Sequence, residues 1–246
     1  MGRWSRQLAK SFAEFAGVGD RDRVLDVGCG TGALAGAILA AHPKSVVTGI
    51  DPSDVFVESC RAQYPSARFL TGDAQQLPFG DQAFDASLAC LVLNFVPSPR
   101  DAVAEMSRVT ARDGTVAAVV WDHAEGMTML RAFWEAAVEV DPSLTAGERQ
   151  PMLARDALAR LWDEVRLRDV VLQPLVVDMT FASFNDYWEP FIGGQGPAGA
   201  YVASLTPESR DAIARVLHSR FLKDDPFGSF TIQSRAWAIK GAVGAR

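Results

Sequence analysis

Ten residues constrain this chain more than any others: Arg23-Val24-Leu25-Asp26-Val27-Gly28-Cys29-Gly30-Thr31-Gly32. A short apolar run carrying one acid breaks into three alternating glycines and gives way to Leu34, Ile38 and Leu39. The switch from strand-like to helical spacing puts the glycines on a strand-to-helix turn. Glycine lets the backbone pass close to a ligand and tolerates the positive φ of a tight turn. The free N–H groups of a helix N-terminus then accept the polar end of that ligand, as in nucleotide-type sites.

Two kinds of nucleotide site use such a turn, and Asp26 separates them. Gly28, Gly30 and Ala33 formally satisfy the dinucleotide fingerprint G-x-G-x-x-G/A, which serves a pyrophosphate. A carboxylate two residues upstream of those glycines repels phosphate but attracts an ammonium group. The stretch Leu25-Asp26-Val27-Gly28-Cys29-Gly30-Thr31-Gly32 resembles the first motif of the class I S-adenosylmethionine (SAM) dependent methyltransferases.

Two later strand ends agree with that resemblance. Ser45-Val46-Val47-Thr48-Gly49-Ile50-Asp51-Pro52-Ser53 is a β-branched run ending in an acid, at about the spacing where an acid grips ribose hydroxyls. A carboxylate accepts from both hydroxyls at once. Arg68-Phe69-Leu70-Thr71-Gly72-Asp73-Ala74 is a third short strand ending in Gly-Asp-Ala. The resemblance implies that this acid takes the adenine amino group and that the next backbone N–H takes a ring nitrogen. It thus implies a cofactor set of Asp26, Gly28, Cys29 and Gly30 on the first turn and Asp51 and Pro52 after the second strand. Gly72, Asp73 and Ala74 after the third strand and Cys90 at the end of the fourth complete it. Near the N-terminus, Trp4-Ser5-Arg6 is expected over the cofactor, with Arg6 toward the methionine carboxylate; a solvated arginine is the other reading.

The rhythm of alternating strand and helix runs to about residue 121. Phe84–Cys90 reads as a strand, and a helix starts at Ser98, where Ser98 with Asp101 makes a variant capping box and Pro99 takes the first helical position. Asp113-Gly114 is expected to end that helix, and Thr115–Trp121 is a continuous apolar strand of the kind buried on both faces. Alternation of this kind means an α/β, doubly wound, mostly parallel sheet. Beyond Trp121 the rhythm changes to helices over 126–140 and 152–164, a strand over 170–177 interrupted by Pro174, and a final strand Phe230–Ile239. A proline inside a strand points to a sheet edge or a bulge. The resemblance implies a Rossmann-like sheet of seven strands with an antiparallel last strand, in one class I methyltransferase domain over residues 1–246. An N-terminal helix is expected within 1–20, amphipathic over Leu8–Val18. The aromatic-rich stretch 178–226, with Gly193-Gly194-Gln195-Gly196-Pro197, is read as a helical cap inserted between the last two strands.

Composition narrows the partners. About half of the 246 residues are apolar, the formal net charge is −6, and no basic cluster is visible, which argues against nucleic acid as substrate. No apolar run approaches a membrane span, and the N-terminus lacks a signal-peptide core. Cys29, Cys60 and Cys90 are odd in number and widely spaced, so neither a disulfide frame nor a zinc or other metal site is expected, and the setting reads as cytoplasmic.

Methyl transfer from a sulfonium is an in-line displacement that mainly needs positioning and exclusion of water. The Asn/Asp-Pro-Pro-Tyr/Phe signature of amino-group nucleic-acid methyltransferases and the Pro-Cys nucleophile of cytosine-ring methyltransferases are both missing. The acceptor is therefore read as a small, partly apolar molecule, as in the quinone and natural-product branch that the sequence resembles. Trp121-Asp122-His123 ends the fifth strand, and His123 or Asp122 is a candidate base for a hydroxyl or acidic carbon. Trp121, Trp134, Trp188 and Phe191, with Met127, Phe133 and Tyr187 nearby, either line an apolar pocket or fill a core. Where many relatives carry a histidine pair after the fourth strand, this chain has Asn94-Phe95. Two other readings stay open: a SAM-binding protein that does not methylate, and an NAD-dependent oxidoreductase.

Overall fold

The computed structural model describes residues 2–144, 153–194, 196–222 and 228–244. Its first helix, α1 (Gly2–Ala16), buries Trp4, Leu8, Phe12 and Ala16 along one side, and that stripe fixes the helix in place. Gly17 ends it at φ +78°, its N–H donating to the Ala13 carbonyl at 3.2 Å, so the helix stops short of Val18.

Five β-strands follow in the expected order: β1 (Arg23–Val27), β2 (Val46–Asp51), β3 (Arg68–Thr71), β4 (Phe84–Cys90) and β5 (Thr110–Trp121). Helices α2 (Ala33–Ala41), α3 (Asp54–Gln63) and α4 (Pro99–Val109) lie between them, and a short 3-10 turn spans Leu93–Phe95. The Ser53 and Ser98 hydroxyls cap α3 and α4 by accepting from the Phe56 and Asp101 N–H groups. Further on come α5 (Thr128–Val140), α6 (Arg155–Glu164), β6 (Arg168–Phe181), α7 (Phe184–Ile192), α8 (Gly196–Ser204), α9 (Pro207–Phe221) and β7 (Phe230–Ala242). The expected first position of the 152–164 helix, Met152, lies outside the described residues, as do Met1, Gln195 of the glycine loop and 223–226 of the cap stretch.

The strands form one seven-stranded sheet in the order β3-β2-β1-β4-β5-β7-β6. The first five are parallel to their neighbours, and β7, the last in the chain, pairs antiparallel with β5 from Thr115↔Ala242 to Trp121↔Ala236. Pro174 sits in β6, which is the edge strand, where a missing N–H breaks no ladder.

One boundary differs from expectation. Asp113-Gly114 does not end α4; the helix ends at Val109, and both residues lie inside β5. Between the pairs Phe84↔Thr110 and Ala86↔Thr115 the two strands fall out of step, and Asp113 turns at φ +60° to absorb the extra chain. A Cβ on Gly114 would lie 2.6 Å from the Asp85 carbonyl oxygen, so the bulge needs glycine there. Thr110 is buried and its hydroxyl lies 2.7 Å from both the Ser87 hydroxyl and the Met106 carbonyl, which turns the chain into the sheet four residues earlier than Asp-Gly suggests.

The chain divides into two compact units. The first comprises Met1–Asp122, Leu153–Leu175 and Ala236–Arg246. Its core gathers Leu25, Val27, Leu88, Val103, Met106, Val116 and Val120 from strands and α4, with Trp162 of α6 donating its indole N–H to the Val116 carbonyl at 3.3 Å. The second comprises His123–Met152 and Val176–Arg235 and is built on aromatic contacts among α5, α7, α9 and the outer end of β7. No helix among the described residues is long and apolar enough to cross a membrane.

Candidate functional site

In the first unit, the C-terminal ends of β1, β2, β3 and β4 surround a cavity of about 550 Å³. Strand order reverses beside β1, which is where an open α/β sheet leaves a crevice for a ligand. Its walls are mostly apolar and include Ile50, Phe56, Val92, Phe95 and Val96; three carboxylates, Asp26, Asp51 and Asp73, enter it from three strand ends.

The glycine turn is tied to β2 by its own backbone. The Gly28 and Cys29 N–H groups both donate to the Ile50 carbonyl, at 2.7 and 3.0 Å. Gly28 has φ +69°, and a Cβ there would lie 2.5 Å from Val92 Cγ2, so any side chain would strain the turn and collide with the cavity wall. Asp51 is buried and receives the Gly30 N–H on Oδ2 and the Ser53 N–H on Oδ1, each at 2.9 Å. Each oxygen keeps a further lone pair for a ligand donor.

Asp26 is only 1% exposed and accepts the Ala35 N–H of α2 at 3.1 Å. Burial raises its pKa from 3.8 to about 7; the Ala35 bond opposes the rise, and the charge of Asp51 adds to it. A positive group beside this acid would stabilise its ionised form. Asp73 stands more exposed at the end of β3, holding the Gln75 N–H at 2.9 Å and the Gln75 side-chain amide at 3.1–3.2 Å. Gln75 Oε1 accepts in turn from the Ser98 N–H at 2.9 Å, joining the β3 end to the start of α4. Burial pushes the Cys29 and Cys90 thiols up, so both stand as neutral groups in the wall.

The cavity wall contains ten of the eleven residues expected to bind the cofactor: Asp26, Gly28, Cys29, Gly30, Asp51, Pro52, Gly72, Asp73, Ala74 and Cys90. Arg6 is not in that wall; it is exposed on α1, its charge acting on Tyr64, and Ser5 lines the cavity in its place. Trp121 and Asp122 are buried at the end of β5 and are not in the wall either. His123, Trp134, Trp188 and Phe191 belong to the second unit. There Phe133 stacks on Phe191 with centroids 4.6 Å apart, and Trp134 and Trp188 pack on Phe133 at 5.1 and 6.3 Å. Tyr187 is fully buried and donates its hydroxyl to the Met129 carbonyl at 3.0 Å.

Several wall residues carry no sequence signal of their own. Leu91, Val92, Phe95, Val96 and Pro97 reach the cavity because Leu91, at φ +63°, turns the chain sharply after β4. Asn94 is absent from the wall: its Oδ1 accepts the Leu153 N–H at 2.7 Å, while Phe95 stands 77% exposed beside the cavity.

Part of the chain is similar to known methyltransferases. Residues 25–118 match the family model described as a methyltransferase domain. The chain is 34% identical over 113 residues to the O-methyltransferase rstn1 of Aspergillus nomiae, covering 44% of this chain and 48% of that protein. It is 33% identical over 121 residues to a demethylmenaquinone methyltransferase of Renibacterium salmoninarum (49% and 48%) and 35% over 116 residues to a fatty-acid O-methyltransferase of Mycolicibacterium smegmatis (46% and 42%). These matches thus span about half the length of each relative. In fold, the chain is similar to the YcgJ protein of Bacillus subtilis, with TM-score 0.61, 21% identity and coverage of 98% and 99%. It is also similar to a geranyl diphosphate methyltransferase solved with SAM, with TM-score 0.55, 19% identity and coverage of 98% and 86%. The chain therefore has the Rossmann-like fold of those structures and carries a stretch similar to a methyltransferase domain. Residues 25–118 are the part that the family model defines.

Proposed function

We propose that the chain transfers a methyl group from SAM to the oxygen or carbon of a small, partly apolar acceptor. The observation that carries this reading is the set of three carboxylates on an otherwise apolar cavity, each at a different strand end. That donor set suits a ligand with an ammonium, a ribose diol and an adenine amino group, and it repels the pyrophosphate of a dinucleotide. SAM, when bound, supplies an electrophilic methyl group on a sulfonium.

The chain's own residues then have distinct tasks. Asp26 pairs with the methionine ammonium, and the Gly28-Cys29-Gly30 turn lets the backbone approach the ligand. Asp51, already oriented by two N–H donors, holds the ribose hydroxyls. Asp73 accepts from adenine, and the Ala74 backbone N–H serves a ring nitrogen. Trp121, at the end of β5 in the same unit as the cavity, shields the acceptor from water. Asp122 or His123 removes the acceptor's proton where the acceptor is a hydroxyl or an acidic carbon. The relatives named for O-methylation and for methylation of demethylmenaquinone favour such acceptors.

Calorimetric titration with SAM, S-adenosylhomocysteine (SAH) and NAD is the first test, followed by methyl transfer from labelled SAM to a panel of phenols, quinols and fatty acids. Binding of SAM and SAH with no response to NAD supports the site. Preferential binding of NAD overturns it, and tight SAM binding without transfer to any acceptor favours a non-methylating role.

A further inference from the structure

The second unit contains a hollow of its own, about 540 Å³, that the methyl-transfer reading does not use. It is bounded by the start of α5, the outer end of β6 and the first residues of β7. Arg131 from α5 and Arg235 from β7 line it together with Thr128 and Gln233. The Arg235 N–H donates to the Gly126 carbonyl at 2.8 Å, so the strand and the helix start are joined in one frame.

Ser234, 1% exposed, also lines the hollow, and among the described residues its hydroxyl has no hydrogen-bond partner. Among the described residues, the Arg131 guanidinium makes no hydrogen bond; it has only a 3.8 Å ion pair with Glu135, whose other oxygen holds Arg220 at 2.9 Å. Arg235 pairs with Glu125 at 3.2 Å, but that glutamate is 80% exposed, and an exposed pair yields readily to a competing anion. The first turn of α5 has no capping side chain and no acid. Arg131 lies near the start of α5 and Arg235 is tied by its backbone to Gly126 just before that helix, so an anion in the hollow would meet both arginines near the helix's positive end. A forked guanidinium suits carboxylate and phosphate oxygens in two-point contact, and the Thr128 hydroxyl and Gln233 amide are further donors.

We propose that this hollow binds the oxyanion head group, phosphate or carboxylate, of a small molecule, with Arg131 and Arg235 as its charged ligands. The test uses the full chain without SAM, in buffers of constant ionic strength made with chloride, inorganic phosphate or succinate. Melting temperature and calorimetric titration are read for wild type, Arg131→Gln and Thr128→Val. Phosphate or succinate at tenfold excess over its dissociation constant should raise the wild-type melting temperature by about 3 °C above chloride. The larger of the two shifts names the head group. Arg131→Gln, at a half-exposed position with no side-chain hydrogen bond to lose, should keep the chloride melting temperature and weaken anion binding by at least about tenfold. Arg131→Gln responding like wild type, or wild type responding no more to phosphate and succinate than to chloride, overturns the proposal. Thr128→Val should weaken binding severalfold, and serves as the second reading if Arg131→Gln is poorly folded.

Discussion

Gly30 and Asp51, 21 residues apart, are joined by a 2.9 Å hydrogen bond from the glycine N–H to Asp51 Oδ2. The glycine turn and the end of β2 are therefore one device. Whatever grips the Asp51 carboxylate also feels the shape of the turn, and loss of that carboxylate releases two N–H groups, those of Gly30 and Ser53.

Asp51→Ala should weaken SAH binding by at least about tenfold, because charge-assisted hydrogen bonds are worth about 1.5–3 kcal/mol each. The two released N–H groups should lower stability as well, by about 1–2 kcal/mol. Calorimetry and a urea melt on the same sample separate the two losses. Unchanged SAH affinity in a folded variant would remove Asp51 from the ribose.

Asp26 should make SAH binding depend on pH. Without ligand its carboxyl titrates near 7 in the folded chain against 3.8 in the unfolded one, so between those values the native state holds a proton that the unfolded state has released. Stability from this group is full below about pH 4 and falls as pH rises to about 7; Asp26→Asn should flatten that fall. A ligand ammonium favours the ionised acid, so SAH binding should expel a proton and tighten about tenfold from pH 6 to pH 8. Titrations in two buffers of different ionisation heat count the proton, and an identical affinity at both pH values would place the ammonium elsewhere.

Asp73→Ala should weaken SAH binding more than Asp73→Asn. The asparagine retains one oxygen for the Gln75 N–H or for adenine, but its NH₂ then opposes the Gln75 side-chain amide, whose own oxygen is committed to Ser98. Asp73→Asn should therefore also lower the melting temperature slightly. Equal affinity losses for the two variants would assign Asp73 to holding the loop and not to adenine.

Trp188→Ala, a change within the second unit, should leave SAH affinity within about threefold, a difference under 1 kcal/mol. Trp188 is half-buried against Phe191, Phe184 and Phe133, so a stability loss below the roughly 3–5 kcal/mol of a fully buried aromatic is expected. Loss of SAH binding in a stable variant would tie Trp188 to the cofactor.

The sequence made the cavity of the first unit legible because each strand end announces itself. A β-branched run followed by an acid or glycine is a local pattern, and Asp26, Asp51 and Asp73 all stand in the cavity wall where that pattern puts them. What stayed hidden depends on residues far apart in sequence. Asp113-Gly114 has the chemistry of a helix stop, yet a buried Thr110 and the backbone of β4 make it a bulge within a strand. Asn94 invites a role at the crevice, but a backbone N–H 59 residues away claims its side-chain oxygen. Gln75 looks like an ordinary loop residue until Asp73 and Ser98 are seen on either side of its amide.

The two units are interleaved along the chain, which passes from one to the other after Asp122, after Met152, after Leu175 and after Arg235. Neither unit can be isolated by cutting the chain at one point. The second unit instead amounts to two excursions, 123–152 and 176–235, each leaving and rejoining the first unit's frame. Lengthening, shortening or exchanging either excursion leaves the order of β1 to β5 untouched. Changes confined to those two excursions alter the second unit while Asp26, Asp51 and Asp73 stay on the first.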